Sequence, residues 1–130
     1  MWSPDGRYIY FASRRGGTLN IWGIGADRGR SEQITASEGD DTKLDGSADG
    51  KKIVFSTWRL NNIVQRDLAA RGDQQAATVL TTDAGRHHIG PVYSPDGKRL
   101  AYFSNLKGAE NESIWATRTV QMRYNWFATI

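Results

Sequence analysis

The sequence predicts an all-β fold made of about three repeated, four-stranded antiparallel units. The first observation is a tight turn, Ser-Pro-Asp-Gly, which occurs at residues 3–6 and 94–97 and returns as Ser-Ala-Asp-Gly at residues 47–50. The second is a run of β-branched and aromatic residues directly after each turn. The third is the lack of helical periodicity, together with 14 glycines, which disfavour long helices.

The spacing of the turns indicates which kind of unit is repeated. Asp5, Asp49 and Asp96 follow one another at intervals of 44 and 47 residues. A period in the forties is the length of a four-stranded β-propeller blade. Within each turn, Pro presets φ, Asp caps the turn with its side chain, and Gly accepts a positive φ. The sequence therefore predicts blades over residues 2–35, 42–81 and 90–130 of one partial propeller domain, 1–130.

The strand after each turn is predicted to be buried on both faces. The three runs read RYIYFAS (7–13), KKIVFST (51–57) and KRLAYFS (98–104). Three pairs hold the same offset from the turn glycine and share one strand face: Ile9 and Phe11, Ile53 and Phe55, and Leu100 and Tyr102. The residues between them are also apolar, as expected for a sheet that lies between two others.

A third strand and a short closing strand complete the predicted blade. The third strands read TLNIWGI (18–24), NNIVQRDL (61–68) and ESIWATRTV (112–120), and QIT (33–35) and VLT (79–81) close two of the units. Trp22 and Trp115 hold equivalent positions, which predicts that both pack in the core between blades. In the third unit, the aromatic residues of the tail 121–130 are the candidates for a closing strand.

The predicted propeller is incomplete. Closed propellers have roughly 4–8 blades, whereas this sequence holds about three, and only Met1, Trp2 and Ser3 precede the first turn proline. An open arc would leave a sheet face and a strand edge uncovered. We expect either that the blades continue in a longer chain, which we favour, or that copies of the chain self-associate.

The repeat resembles the TolB-type β-propeller repeat. In that pattern an aromatic residue and Ser-Pro-Asp-Gly precede a Phe-containing strand, a charged loop, an Ile-Trp strand and a closing Leu-Thr. Residues 2–35 match nearly all of it, 91–115 match as far as the third strand, and 44–81 match with altered turn letters. The resemblance implies a non-enzymatic, protein-binding scaffold and favours a periplasmic location. Alternatively, it implies a propeller segment of a larger enzyme, such as a prolyl-oligopeptidase-like peptidase, or of a bacterial kinase or regulator. A third and less favoured alternative is a lectin-like propeller that binds a metal or a sugar.

Composition excludes several classes of function. The 17 basic and 14 acidic side chains leave a net charge of +3 and are interspersed, so a nucleic-acid partner is not indicated. No stretch approaches the roughly 18 apolar residues that would cross a bilayer, and the start MWSPDG is not a signal peptide. The chain has no cysteine, which excludes disulfides and thiolate metal sites.

No catalytic, metal or cofactor site is predicted. Residues 46–50 place Ser one position too early for a hydrolase nucleophile elbow. Residues 41–52 resemble an EF-hand loop but carry lysines at two ligand positions. A looser cation site at Glu38, Asp40 and Asp41 stays open, although a solvated acidic loop is the favoured interpretation. His87 and His88 point opposite ways on a strand and lack a third ligand.

The candidate binding surface is the rim opposite the Ser-Pro-Asp-Gly turns. The loops between second and third strands (14–17, 58–60 and 105–111) and the links between blades (36–42 and 83–89) share that rim. Loops held by rigid strands suit recognition. The candidate partner-binding residues are Arg14, Arg15, Trp58, Arg59, Arg86, His87, His88 and Lys107.

Overall fold

The computed structural model describes residues 1–27, 29–68, 77–83, 85–106 and 113–119, the last of these segments and residue 106 by backbone alone. Every regular element in these ranges is a strand, and all strand pairs are antiparallel. The strands form three consecutive sheets, each of neighbouring strands in chain order. The predicted all-β blade architecture is confirmed.

The sheets contain three, four and three strands within the described ranges. The first comprises β1 (Tyr8–Gly16), β2 (Thr18–Gly25) and β3 (Glu32–Gln33). The second comprises β4 (Asp41–Gly46), β5 (Lys52–Thr57), β6 (Asn62–Asp67) and β7 (Thr78–Val79). The third comprises β8 (Arg86–Tyr93), β9 (Arg99–Leu106) and β10 (Ser113–Thr119). We refer to them as blades 1, 2 and 3.

Blade 1 has only a trace of its leading strand. An isolated bridge joins Trp2 to Ile9, and Met1 and Tyr10 exchange hydrogen bonds of 2.7 and 2.8 Å. The fourth strand expected for blade 3 falls in the tail 121–130, which lies outside the described residues.

The three repeated turns have the same internal hydrogen bonds. In blade 2 the Ser47 hydroxyl donates to Asp49 Oδ1 at 2.6 Å and accepts from the Lys52 amide at 3.0 Å, while the Gly50 amide donates to the Ser47 carbonyl at 2.9 Å. Gly50 has a φ of +68°. The serine hydroxyl is the largest of the contacts that lower the pKa of Asp49, and equivalent contacts act in the other turns. Ser47 is thus a turn residue, as its position outside a nucleophile elbow predicts.

Two hydrophobic clusters join the blades, and β5 supplies both. Ile53 and Phe55 point toward blade 1 and pack with Tyr10 and Ile21 of that blade and with Val64 of their own blade. On the opposite face of β5, Val54 packs with blade 3. That second cluster consists of Val54, Ile63, Leu80, Tyr93 and Leu100. The prediction that this strand is buried on both faces is confirmed for β5, because blade 2 alone has a neighbouring blade on each side.

Polar contacts also cross between blades 2 and 3. The Tyr93 amide donates to Asp45 at 2.8 Å, the Tyr93 hydroxyl donates to Gln65 at 3.0 Å, and the Gly90 amide donates to the Ser56 hydroxyl at 3.0 Å. Such bonds fix the relative register of the two sheets, which pure hydrophobic packing leaves less defined.

Trp22 does not lie in the core between blades as its repeated position predicts. It is half-buried on the outer face of blade 1, where the guanidinium of Arg15 stacks over its ring at 5.1 Å. Side chains alternate along β2, so the neighbour Ile21 faces blade 2 and Trp22 faces away from it. The side chain of Trp115 lies outside the described residues.

Candidate functional site

The link between blades 1 and 2 (residues 36–42) contacts the β1–β2 hairpin of blade 1 on one side and the β5–β6 hairpin of blade 2 on the other. On one side Arg14, near the end of β1, donates to Asp40 at 2.5 Å. On the other side Arg59, in the hairpin after β5, donates to Glu38 at 2.5 Å. Glu38 and Asp40 of this link are therefore paired with rim arginines, whereas Asp41 is buried at the start of β4 and has no hydrogen-bond partner of standard geometry among the described residues.

Asp40 has a second role at the base of this link. Its Oδ1 accepts a hydrogen bond from the Leu19 amide at 3.1 Å. That bond and the Arg14 guanidinium together lower the pKa of Asp40. The carboxylate therefore stays ionised well into the acidic range and holds the start of β2 to the inter-blade link.

Gly39 lets the link approach the hairpin of blade 2. A Cβ at this buried glycine would lie 2.7 Å from the Arg59 Cβ and 3.1 Å from both the Arg59 nitrogen and the Thr57 hydroxyl. Only a residue without a side chain fits at this distance, so Gly39 sets the close packing from which the Arg59–Glu38 pair projects.

A pocket of about 220 Å³ opens on the rim between blades 2 and 3. The second hairpin of blade 2 forms one wall and the paired strands β8 and β9 form the other. The lining residues are Thr42, Ser56, Thr57, Trp58, Asn61, His87, His88, Ile89, Phe103 and Asn105. The pocket thus combines four aromatic or imidazole rings at its mouth and walls with hydroxyl and carboxamide groups.

The two histidines line this pocket from opposite faces of β8. His87 meets the exposed indole of Trp58 edge to face, with ring centroids 6.5 Å apart. His88 is buried and meets the ring of Tyr102 in the same manner at 5.5 Å. Burial lowers the pKa of His88, so the neutral imidazole is its normal form at neutral pH.

Five of the predicted rim residues lie in strands rather than loops. Arg14 and Arg15 belong to β1, and residues 86–88 form the start of β8, where they pair with residues 104–106 of β9. The prediction that these residues lie in loops was wrong, because the pairing of β1 with β2 and of β8 with β9 continues for several residues beyond the apolar part of each strand. Trp58 and Arg59 do lie in the hairpin turn, and Lys107 lies outside the described residues.

Arg15 is separated from the other candidate residues. Its guanidinium covers the rings of Phe11 and Trp22, at 5.1 Å from each, and it also bonds the hydroxyls of Ser13 and Ser31. It therefore belongs to the outer face of blade 1. Arg86 pairs with Asp83 at 3.4 Å and remains beside the pocket, next to His87 in the chain.

Comparison with known proteins identifies the family. The model of the TolB beta propeller domain matches residues 1–122. The chain belongs to the TolB β-propeller family. An uncharacterized protein of Agrobacterium fabrum is 34% identical to it over 110 residues, which cover 78% of this chain and 37% of that protein. The Tol-Pal system protein TolB of Francisella tularensis is 34% identical over 55 residues, 42% of this chain and 13% of that protein.

Solved structures of TolB-type propellers have the same fold. A structure from Agrobacterium tumefaciens assigned as a TolB superposes with a TM-score of 0.76 at 22% identity, covering 91% of this chain and 43% of that one. TolB of Acinetobacter baumannii gives 0.71 at 23% identity and covers 91% and 28%. An oligogalacturonate lyase of Vibrio parahaemolyticus gives 0.67 at 21% identity and covers 82% and 28%. This TolB-family chain spans less than half the length of each of these proteins.

Several pocket residues of this TolB-family chain gave no signal in the sequence. Asn61 and Asn105 lie in different blades and in no shared motif, yet both line the pocket. Asn61 has a φ of +51°, and its carbonyl accepts from the His88 amide at 3.0 Å. An Asn two residues before an Ile-Val strand pair is a hairpin signal, and it could have directed attention to this site.

Among the described residues, no three His, Cys, Asp or Glu side chains come together as metal ligands would. Over those same ranges, no helix is long and apolar enough to cross a membrane.

Proposed function

We propose that this TolB-family chain is a non-enzymatic scaffold whose rim binds a protein partner, and that residues 1–130 act as one partial propeller domain. The supporting observation is the rim between blades 1 and 2, where Arg14 of β1 and Arg59 of the blade 2 hairpin pair with the glycine-packed link between the blades. Fixed, half-exposed arginines with carboxylate neighbours are typical of protein interfaces, where they supply orientation and specificity.

The name of the Francisella relative, a Tol-Pal system protein, supports a protein partner and a cell-envelope setting. We propose a periplasmic location on the same ground. A fusion of the full-length protein to alkaline phosphatase would be active if this is correct, because the enzyme needs the oxidising periplasm for its disulfides. An inactive but stable fusion would place the protein in the cytoplasm.

The test of partner binding uses rim variants of the full-length protein. The double variant Arg14→Ala/Arg59→Ala, immobilised, should lose partners that wild type captures from a cell-envelope extract of the source organism. Arg15→Ala is the matched control, because its guanidinium covers the outer face of blade 1 and not the rim link. The proposal is wrong if the double variant, still folded by circular dichroism, retains every partner of wild type.

The second candidate function is a propeller segment of a larger enzyme, kinase or regulator. The supporting observation is the similarity of fold to an oligogalacturonate lyase, of which this chain covers 28%. The complete reading frame distinguishes the two: a catalytic domain on the same polypeptide favours the enzyme. Activity of the full-length protein on oligogalacturonate would support the lyase version directly, and a frame that contains only further blades would remove the versions that need a separate catalytic domain.

A further inference from the structure

The pocket between blades 2 and 3 presents exposed aromatic surface in a fixed position. The side chain of Trp58 is 60% exposed, yet its indole is braced edge to face by the imidazole of His87 at an interplanar angle of 89°. Phe103 lines the wall from β9. Because this exposed ring lines a concave pocket together with other rings, it can receive the flat apolar face of a ligand.

Hydrogen-bonding groups surround these rings. The carboxamides of Asn61 and Asn105 and the hydroxyl of Thr42 line the pocket. None of these three side chains has a hydrogen-bond partner within the described residues. Each carboxamide offers two donor hydrogens and an acceptor oxygen, and the hydroxyl offers both kinds as well. The pocket can therefore satisfy a ligand with several groups that donate and accept.

Asn61 is held in place by its backbone. It adopts a left-handed conformation, with φ of +51°, and its carbonyl is tied to the amide of His88. Asn is one of the few residues besides glycine that adopt this conformation readily, as expected in a hairpin turn. The inter-blade bond holds the backbone of Asn61 at the pocket, which its carboxamide lines beside the aromatic wall.

The lining of the pocket holds no carboxylate, ammonium or guanidinium group. It contains no Asp, Glu, Lys or Arg, and the nearest cations, Arg59 and Arg86, are already paired with Glu38 and Asp83. His88 forms a buried wall in its neutral form. Neither of its ring nitrogens has a partner in standard hydrogen-bond geometry within the described residues, although the backbone of Asp83 lies near enough to oppose part of the effect of burial on its pKa. A charged ligand would lose its hydration here without gaining a counter-charge.

We propose that this pocket binds a neutral pyranose. One C–H face of the sugar ring lies on the indole of Trp58, and the ring hydroxyls exchange hydrogen bonds with the carboxamides of Asn61 and Asn105. Apolar faces alternate with hydroxyl-bearing edges in a pyranose, as apolar rings alternate with carboxamides in the pocket. A purely apolar peptide side chain would leave the carboxamides unpaired, which is unfavourable. The inference goes beyond the proposed function and does not depend on it.

The test titrates ¹⁵N-labelled protein with glucose, galactose, mannose and N-acetylglucosamine, and separately with glucuronate and galacturonate. We expect a neutral sugar to shift the amide signals of residues 58–61 and 87–89, and the matching uronate to bind more weakly. A second titration uses oligosaccharides that end in the neutral sugar that binds. Tighter binding of the oligosaccharide than of the monosaccharide indicates that the natural ligand is the end of a glycan and not a free sugar.

Variants locate the site. Trp58→Ala should weaken sugar binding by about tenfold, the effect of losing roughly 1.4 kcal/mol of stacking, and Asn105→Ala should also weaken it. Trp2→Ala is the matched control, because Trp2 is likewise 60% exposed but lies at the start of blade 1. The proposal is overturned if no neutral sugar shifts these signals, or if the uronates bind as tightly as the neutral sugars. It is also overturned if an aromatic peptide binds the pocket more tightly than any of the sugars, or if Trp2→Ala weakens sugar binding as much as Trp58→Ala does.

Discussion

Asp41 and His88 occupy the same position in successive blades. Asp41 opens β4 opposite Thr57, and His88 lies in β8 opposite Ser104, at the equivalent point of the next blade. Both side chains are buried, with 0% and 6% exposure. The repeat therefore keeps a titratable group at the rim end of its innermost strand, although one blade uses a carboxyl and the other an imidazole.

Burial acts on the two groups in opposite directions. It raises the pKa of Asp41, since the hydroxyls of Thr35, Ser37 and Thr57 offset only part of the effect and none reaches standard hydrogen-bond geometry. It lowers the pKa of His88. In both cases the folded protein favours the neutral form, as expected where charge is desolvated without a partner. The two groups should therefore destabilise the protein at opposite ends of the pH range.

The first prediction concerns Asp41. Its folded pKa lies above the unfolded value of 3.8, so its cost to stability appears as the pH rises through the folded pKa. Asp41→Asn cannot ionise and escapes that cost. We expect the free energy of unfolding of the variant, measured by urea titration, to increase relative to that of wild type as the pH rises from about 3 to about 7. Asp27→Asn, an exposed carboxyl after β2, is the control. A constant difference across this range would contradict the prediction.

The second prediction concerns His88. Its folded pKa lies below the unfolded value of 6.5, so the folded state resists protonation and loses stability as the pH falls below 6.5. Asp83 opposes this shift, whereas Arg86 and His87 add to it. Urea titrations at about pH 8 and pH 5 should show a larger loss for wild type than for His88→Gln.

His87→Gln is the matched control for that experiment, since it removes the neighbouring imidazole on the other strand face. We expect this variant to keep the acid-dependent loss of wild type. If His88→Gln keeps it as well, the loss arises elsewhere in the protein.

The sequence was sufficient for the parts of the fold that depend on local chemistry. Each turn is specified by a Ser, an Asp and a Gly within four residues, so the pattern alone predicts its hydrogen bonds. The faces of β5 follow from period-two burial. The burial of Trp22 could not be predicted from its repeated position. That position is buried between blades only where a neighbouring blade packs on the same sheet face.

The candidate site could be predicted only in part. The sequence indicates the rim and most of its charged residues, but pairing of Arg14 with Asp40 spans 26 residues and depends on the path of the link. The pocket joins Asn61 to Asn105, which only the packing of blade 2 on blade 3 brings together. Contacts between separate strands carry no local pattern, so they appear only in three dimensions.

The third prediction compares two turn glycines. Gly50 and Gly97 both have φ of +68°, where alanine costs about 1–2 kcal/mol. A Cβ at Gly97 meets nothing within 4 Å, but a Cβ at Gly50 lies 3.3 Å from Cδ of Pro4, in the turn of blade 1. Gly97→Ala should therefore lower the free energy of unfolding by about 1–2 kcal/mol, and Gly50→Ala by more. If urea titrations show equal losses of unfolding free energy for the two variants, the contact between Gly50 and Pro4 does not constrain the turns of blades 1 and 2.

The fourth prediction uses two isoleucines with the same offset from their turns. Ile53 is fully buried between blades 1 and 2, whereas Ile9 is half-buried because its strand belongs to the outermost blade. Removing one methylene by Ile53→Val should cost about 0.5–1.5 kcal/mol. Ile9→Val should cost less than about 0.5 kcal/mol, as for exposed substitutions. Both substitutions keep a β-branched side chain in a strand, so the β-propensity of the residue changes equally in the two variants and does not affect the comparison. Equal costs would mean that the outer face of blade 1 is covered in solution, either by another copy of the chain or by further residues of a longer one.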